Sequence, residues 1–437
     1  MHTLEQLRRG DLAGATRLDL SCGLDELPAE VLGLADSLEV LNLSGNRLTT
    51  LPAWLPRLQR LKVIFASDNP FTTLPEVLGD CPALEMVGFK ACRIARVPAA
   101  ALPPALRWLI LTDNAIDTLP DAVGERPRMQ KLMLAGNRLQ ALPEGLAGAQ
   151  RLELLRISAN RFQRLPDWLL RLPRLSWLAL AGNPLGWAVP PLQLPVVDWG
   201  DIRPGEALGE GASGRAVRAT VTGWPGELAL KLFKGAVTSD GLPEHEMAAG
   251  GTAGAHPALC TPVARLQGHP DGVQGMLLPL IPPGHVLLAG PPSLASCTRD
   301  VYPDGWRLAP GPALRLLRGI AGAVAHLHGH GVVHGDLYAH NILWNPATGD
   351  ALLSDFGAAA LLPANQPALA RALQALEVRA FGCLLEELGD RLDVTQDDPV
   401  RAMIASLARA CMALDPGARP SMAEVSRQLF KEVSCSC

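Results

Sequence analysis

One template of 22 or 23 residues is copied along the first 190 positions, as LEVLNLSGNRLTTLP, LRWLILTDNAIDTLP, MQKLMLAGNRLQALP and LELLRISANRFQRLP make plain. Its apolar cores fall at Leu41, Ile64, Val87, Leu109, Leu132, Leu155 and Leu178, in steps of 23, 23, 22, 23, 23 and 23 residues. A shorter first copy around Leu18 and Leu20 brings the count to eight turns. A unit this short, one strand with an irregular or helical return, cannot bury its apolar face alone, so it has to stack on its neighbours. Asn46, Asn69, Asn114, Asn137, Asn160 and Asn183 recur at the slot where a side-chain amide satisfies backbone groups inside the turn, with Cys22 and Cys92 taking it in two copies. Those residues are architectural. The position before each core residue reads Val40, Val63, Met86, Trp108, Lys131, Leu154 and Trp177. This mostly apolar row with two tryptophans is expected either to dock a protein or peptide or to lean on itself along the curved sheet.

The template resembles the leucine-rich repeat. That resemblance implies an α/β solenoid of about eight repeats over residues 1–192, with a protein or peptide ligand on its concave face. The repeat stops after Leu185, and a proline-rich stretch leads into a short linker at 193–203. Proline stiffens such a connection.

A second domain, expected at 204–430, carries a series of groups in an order that matters more than any one of them. LGEGASGRAV holds Gly209, Gly211 and Gly214 in G-x-G-x-x-G spacing, and glycine lets a backbone close over phosphates with no Cβ in the way. Seventeen residues past Gly214, LALKLFK alternates like a strand and turns the Lys231 amine toward the cleft, within reach of nucleotide phosphates. Glu246, on the next predicted helix, is the expected acidic partner, with Glu244 as its competitor. Further on, VVHGDLYAHNIL sets Asp336 where it takes a hydroxyl proton or orients the acceptor, and Asn341 five residues later where its amide oxygen reaches a metal. Fourteen residues after Asn341, LLSDFGAA supplies Asp355 as the main magnesium ligand. The helical run EVRAFGCLLEEL and the segment CMALDPGARPSMAEV, with Arg419, close the series.

Residues from about 200 to 430 thus resemble the eukaryotic-type protein kinase family across its catalytic domain, an α+β bilobal fold. The resemblance implies ATP and Mg2+ as cofactors and a protein substrate, serine or threonine being the expected acceptor. It implies that Leu208, Gly209, Glu210, Gly211, Gly214, Ala229, Lys231 and Leu280 contact the nucleotide, the adenine hinge falling near Leu278 to Ile281. It further implies Asp336, Lys231 and Glu246 as the catalytic set, with Asn341 and Asp355 on the metal.

The departures carry information too. Gly335 replaces the arginine of the usual His-Arg-Asp, the arginine that clamps a phosphorylated activation loop, and no Ser, Thr or Tyr lies between Asp355 and Glu377. The two absences agree, so switching by phosphorylation of that loop is not expected. The segment is short and has no Ala-Pro-Glu, which leaves Arg419 without its expected glutamate and reduces the platform that grips a peptide. Tyr338 stands where a lysine is usual, with His340 a possible substitute. HGDLYAHNIL also resembles the loop of aminoglycoside and choline phosphotransferases, so a small-molecule phosphotransferase and a nucleotide-binding pseudokinase scaffold stand as alternatives. Gly250 and Gly251 each weaken their predicted helix by roughly 1 kcal/mol relative to alanine, so the Lys231–Glu246 pair is expected to form fully only when something packs on that helix.

At 437 residues the chain is too long for one ordinary core, and 48% hydrophobic with 19% charged residues is a globular balance. A net charge of −4 with no basic cluster argues against nucleic acid. Nine cysteines without paired spacing suggest reduced thiols and a cytoplasmic setting, and no stretch reads as a membrane span or a secretory signal. Ser434 occupies the place where a lipidation box needs its cysteine, so residues 431–437 are read as a tail.

Overall fold

The repeat step becomes a sheet register in the computed structural model, which describes residues 2–187, 191–211, 213–235 and 240–431. Of the stretch expected as a tail, Lys431 closes the last helix and the remainder with Ser434 lies outside the described residues. The chain divides into two compact units, Met1–Leu172 with Asn183–Leu185, and Pro173–Gly182 with Gly186–Cys437. The eighth repeat is therefore split between them.

The first unit opens with a short helix, α1 (Leu4–Arg9), whose Thr3 and Gln6 form a reciprocal capping box. Seven three-residue strands follow: β1 (Arg17–Asp19), β2 (Val40–Asn42), β3 (Val63–Phe65), β4 (Met86–Gly88), β5 (Trp108–Ile110), β6 (Lys131–Met133) and β7 (Leu154–Arg156). They pair in parallel so that Leu18, Leu41, Ile64, Val87, Leu109, Leu132 and Leu155 stand in one line across the sheet. All seven are fully buried. The returns are 3-10 turns, several entered through a proline, such as Pro75, Pro98 and Pro143, whose fixed φ suits the first turn.

The repeated asparagines bridge successive turns. Asn137 donates from Nδ2 to the Leu111 and Leu134 carbonyls and accepts from the Ile116 amide, and Asn46, Asn69, Asn114 and Asn160 make the same kind of set. Cys92 fills that slot, its buried thiol donating to the Ala66 and Lys90 carbonyls, whereas Cys22 is exposed. In the row before the core residues, Val63, Met86, Lys131 and Leu154 are buried. The Lys131 ammonium sits 4.1 Å from the Trp108 ring centroid, and the Trp108 indole N–H points at the Met133 sulfur at 3.5 Å, so these side chains lean on one another.

The second unit begins with β8 (Trp177–Ala179). A mixed sheet follows, of β9 (Val196–Asp198), β10 (Ile202–Glu210), β11 (Gly214–Val221), β12 (Glu227–Phe233), β13 (Ala264–Gln267) and β14 (Gly275–Pro279), in the order β10-β11-β12-β14-β13-β9. Residues 196–198 of the stretch expected as linker thus pair in parallel with β13. Val197, Ile202, Val217, Leu230, Ala264 and Leu277 make the core on one face of this sheet. Helix α2 (Pro243–Ala253) runs unbroken through Gly250 and Gly251. A Cβ on Gly250 would lie 2.5 Å from Pro262 Cδ, and one on Gly251 2.9 Å from Leu194 Cγ. These glycines are there because neighbours press against the helix, so the expectation of a soft helix awaiting a packing partner is corrected: Pro262 and Leu194 already pack on it.

The larger, helical part holds β15 (Val286–Leu287), α3 (Pro310–Gly329), β16 (Val332–Val333), β17 (Ile342–Trp344), β18 (Ala351–Leu353), β19 (Ala360–Leu361), α4 (Pro367–Gly389), α5 (Pro399–Cys411) and α6 (Met422–Lys431). Two small sheets, β15-β17-β18 and β16-β19, fix the loops between them. Helix α3 packs on α6 and α4 on α5. No described helix is long and apolar enough to cross a membrane.

Candidate active site

Lys231 occupies the middle of β12, opposite Ala216 of β11 and Met276 of β14. Its ammonium lies 2.6 Å from Glu246 Oε1 on α2, and Glu246 keeps only 2% of its side chain exposed. Glu244 is exposed and takes no part in the pair. Burial alone would lower the Lys231 ammonium, but the Glu246 and Asp355 carboxylates outweigh it and hold the group above its ordinary value. Beside the pair opens a cleft lined by Gly209, Gly211, Gly214, Ala216, Lys231, Glu246, Met276, Leu278, Ser354 and Asp355. Leu208, Glu210, Ala229 and Leu280 are not among its lining residues. Glu210 is exposed and pairs with Lys234 at 2.6 Å, while Ala229 is buried in the sheet. Ala216, two residues past Gly214 on an inward position of β11, was missed by the sequence reading, although strand alternation could have found it.

The loop from β16 to β17 brings Asp336 and Asn341 together, and neither is among the residues that line the cleft. Asn341 Nδ2 donates to both the backbone carbonyl and Oδ2 of Asp336, each at 2.9 Å. The amide nitrogen is thereby committed, and the amide oxygen is the end left for a cation. Ser354 ties the next segment to this loop, since its amide and hydroxyl both donate to the Asn341 carbonyl at 2.9 Å. His334 Nε2 lies 3.0 Å from the Ser354 carbonyl, and its ring lies against Phe356. Asp355 itself has φ +61, a left-handed conformation that costs a non-glycine residue of order 1 kcal/mol and concentrates at functional sites. Its Oδ1 accepts from the Gly357 amide at 3.2 Å.

Two further residues set this loop. Gly335 has φ +73, and a Cβ there would fall 2.5 Å from the Ala358 carbonyl oxygen and 2.9 Å from that of Leu178. No arginine fits at this position, which is why the loop reads His-Gly-Asp. Glu377, buried on α4, accepts from the Gly335 amide at 2.8 Å and lies 2.8 Å from His328 Nε2. Nothing in the sequence reading pointed to Glu377. Its signal was only a carboxylate buried among the apolar residues of α4.

The departures noted in the sequence have structural counterparts. Ten residues separate Phe356 from Pro367, where α4 begins. Arg419 is buried and gives its donors to three carbonyls, those of Ala413, Ala375 and Pro173, each at 2.9 Å. Burial lowers its guanidinium to about 10, helped by the charge of Arg379. His340 turns its Nδ1 to the buried Asp300 at 2.7 Å, so its ring is engaged there and does not take the place of the missing lysine.

Comparison with known proteins bears on both units. Residues 37–58 and 127–185 match family models of the leucine-rich repeat, and residues 293–399 match the model of the lipopolysaccharide kinase (Kdo/WaaP) family. The latter span contains Asp336, Asn341, Asp355 and Glu377. Among curated proteins, the human PH domain leucine-rich repeat-containing protein phosphatase 1 is 34% identical over 92 residues, 21% of this chain and 5% of that protein. The mouse transforming growth factor beta activator LRRC32 is 37% identical over 106 residues, 23% of this chain and 16% of that protein. The chain therefore spans only a small part of these relatives' length. Leucine-rich repeats and a kinase-like domain are present in one chain.

Proposed function

We propose that the chain is an ATP- and magnesium-dependent phosphotransferase acting on a hydroxyl of a protein, with the repeats recognising a protein partner. The observation that carries this reading is the coupled loop in which Asn341 holds the Asp336 carboxylate, together with a closed Lys231–Glu246 pair. Asp336 accepts the proton of the acceptor hydroxyl as the new oxygen–phosphorus bond forms, while the bond from the γ-phosphorus to the bridging oxygen breaks and ADP leaves. Lys231 neutralises the nucleotide phosphates, and Glu246 holds its ammonium in place. The Asn341 amide oxygen and an Asp355 carboxylate oxygen are the hard donors that magnesium takes. Bound there, the ion would offset charge on the phosphates. The domain bounds of the sequence reading, 1–192 for the repeats and 204–430 for the phosphotransferase, remain part of this proposal.

A sugar hydroxyl is the second reading for the acceptor, favoured by the match to a family described as lipopolysaccharide kinases and by the short segment between Phe356 and α4. Phosphate incorporation from labelled ATP with magnesium tests both readings, with wild type and Asp336→Asn offered the protein itself, a generic basic protein, and a panel of saccharides and aminoglycosides. Asp336-dependent labelling of protein supports the first reading, and labelling of a saccharide alone replaces it with the second. Nucleotide binding with no Asp336-dependent transfer would leave a scaffold.

A further inference from the structure

Both peptide neighbours of Asp336 are held by a segment that the sequence assigns to the repeats. Trp177, on β8, donates its indole N–H to the Leu337 carbonyl at 2.9 Å. Its ring stacks on Tyr338 at 4.2 Å between centroids and 8° between planes, and the Arg299 guanidinium covers it at 5.5 Å. On the other side of Asp336, the Leu178 carbonyl presses on Gly335 so closely that no Cβ fits. The same segment is pinned to the helical part at two more points. Arg379 Nη1 donates to the Ser176 hydroxyl at 2.7 Å, and Arg419 Nη2 to the Pro173 carbonyl at 2.9 Å. Trp177 is 1% exposed and Tyr338 4%, whereas Asp336 between their contacts is half-buried. The segment therefore braces the loop on both sides of Asp336.

We propose that Pro173–Gly182 is a built-in strut of the phosphotransfer site, and that Trp177 is a positioning residue acting on Asp336 through Leu337 and Tyr338. This inference rests on the phosphotransferase reading. A short segment with no hydroxyl residues from Asp355 to Glu377 offers no phosphate by which the loop could be ordered. A strand borrowed from the last repeat does that work permanently. Holding an oriented group matters because a shift of about 1 Å at a reacting group costs on the order of a hundred-fold in rate. The site is then incomplete in any fragment that begins after Gly182.

The test uses the full-length chain as wild type, Trp177→Ala and Trp177→Phe. It measures kcat and KM for ATP, together with amide hydrogen exchange over Gly335–Asn341. Trp177→Ala is expected to lower kcat by about ten- to a hundred-fold with KM for ATP unchanged, and to speed exchange in the loop but not in the β10–β14 sheet. Trp177→Phe keeps an aromatic stack and loses only the Leu337 bond, so an intermediate kcat is expected. Wild-type kcat and loop exchange in Trp177→Ala would overturn the strut, as would wild-type values in Trp177→Phe should the alanine variant fail to fold. If the wild-type chain transfers no phosphate to any acceptor, the phosphotransferase reading falls separately. The exchange measurement then still decides whether Trp177 orders the loop.

Discussion

In the repeats, Asn137 gives its whole amide to backbone, with three carbonyls on the nitrogen and one amide on the oxygen, all inside its own and the preceding turn. In the loop between β16 and β17, Asn341 uses its nitrogen on the carbonyl and the carboxylate of Asp336. The side chain is the same and the hydrogen-bond bookkeeping differs. An amide whose groups all end on nearby backbone is architecture, whereas an amide that orients a carboxylate is, on the function proposed, part of the site. The contrast extends to the units themselves. One repeats a satisfied arrangement every 22 or 23 residues, and the other assembles its site from residues that occur once.

The sharpest way to break that contrast is Asp336→Asn. A positioned proton acceptor contributes about 10²- to 10⁴-fold, so labelled-phosphate transfer should fall by roughly that factor while the melting temperature stays put. A drop in stability comparable to the loss of rate would mean that the loop carboxylate is structural after all. Next in size comes Glu377→Ala, which removes a buried carboxylate that accepts from the Gly335 amide and meets His328. Breaking a buried pair from one side costs about 3–5 kcal/mol, read by denaturant unfolding, and transfer should fall with it. Burial alone would raise the Glu377 carboxyl, but the His328 bond, the charges of His328 and His334 and the Gly335 amide outweigh it and hold the group below its ordinary range. The sign follows from linkage. A depressed carboxylate contributes its full share above the unfolded value of about 4.3 and loses it as pH falls through the lower folded value. Glu377→Gln should therefore flatten the acid side of the stability curve below about pH 4, and an unchanged acid limb would show that the pair is not ionic.

Asn137→Ala sharpens the other half of the comparison. It leaves the buried Ile116 amide without its acceptor, while the Leu111 and Leu134 carbonyls keep the Asn114 and Asn160 amides. An unsatisfied buried group costs about 1–3 kcal/mol, the loss expected in chemical denaturation. Phosphate transfer by the folded protein should be unaffected.

How much of this was legible in the chain follows from how far apart the partners lie. The solenoid was legible because a stacked strand must meet its neighbour one period later, so spacing and register are one quantity: Leu109 faces Leu132 in the sheet as it does in the count. Lys231, Asp336, Asn341 and Asp355 stood out as candidates because the chemistry proposed for them demands particular residue types in a particular order, and the structure pairs Lys231 with Glu246 and Asn341 with Asp336. Glu377 and Trp177 were not. Glu377 reaches a backbone amide 42 residues away, and Trp177 a carbonyl 160 residues away, and neither distance leaves a local pattern. Trp177 was also hidden by its own periodicity, since it falls in the row before the core residues and reads as one more member of that row. Gly250 and Gly251 misled in the opposite direction. Propensity records the entropy a glycine loses, whereas here what matters is the room it leaves for Pro262 and Leu194.

The smallest effect is predicted for an ion pair that looks the best formed. Arg47 meets Asp25 through two parallel bonds of 2.8 Å, a bidentate geometry that Lys231 and Glu246 lack. Yet the Arg47 and Asp25 side chains are 65% and 71% exposed, against 13% and 2% for Lys231 and Glu246. In water the attraction is screened, and it competes with the freedom of two long side chains, so geometry alone secures little. Inside the cleft the same attraction acts with little screening, and removing one partner strands a buried charge. Arg47→Ala should accordingly leave the melting temperature within experimental scatter at physiological salt, with any difference at low salt vanishing as salt is added. Glu246→Ala, measured in parallel, should impair phosphate transfer at every salt concentration. A salt-insensitive loss of stability in Arg47→Ala would show that the outer surface of the repeats is held by its charges, and would erase the distinction between the two pairs.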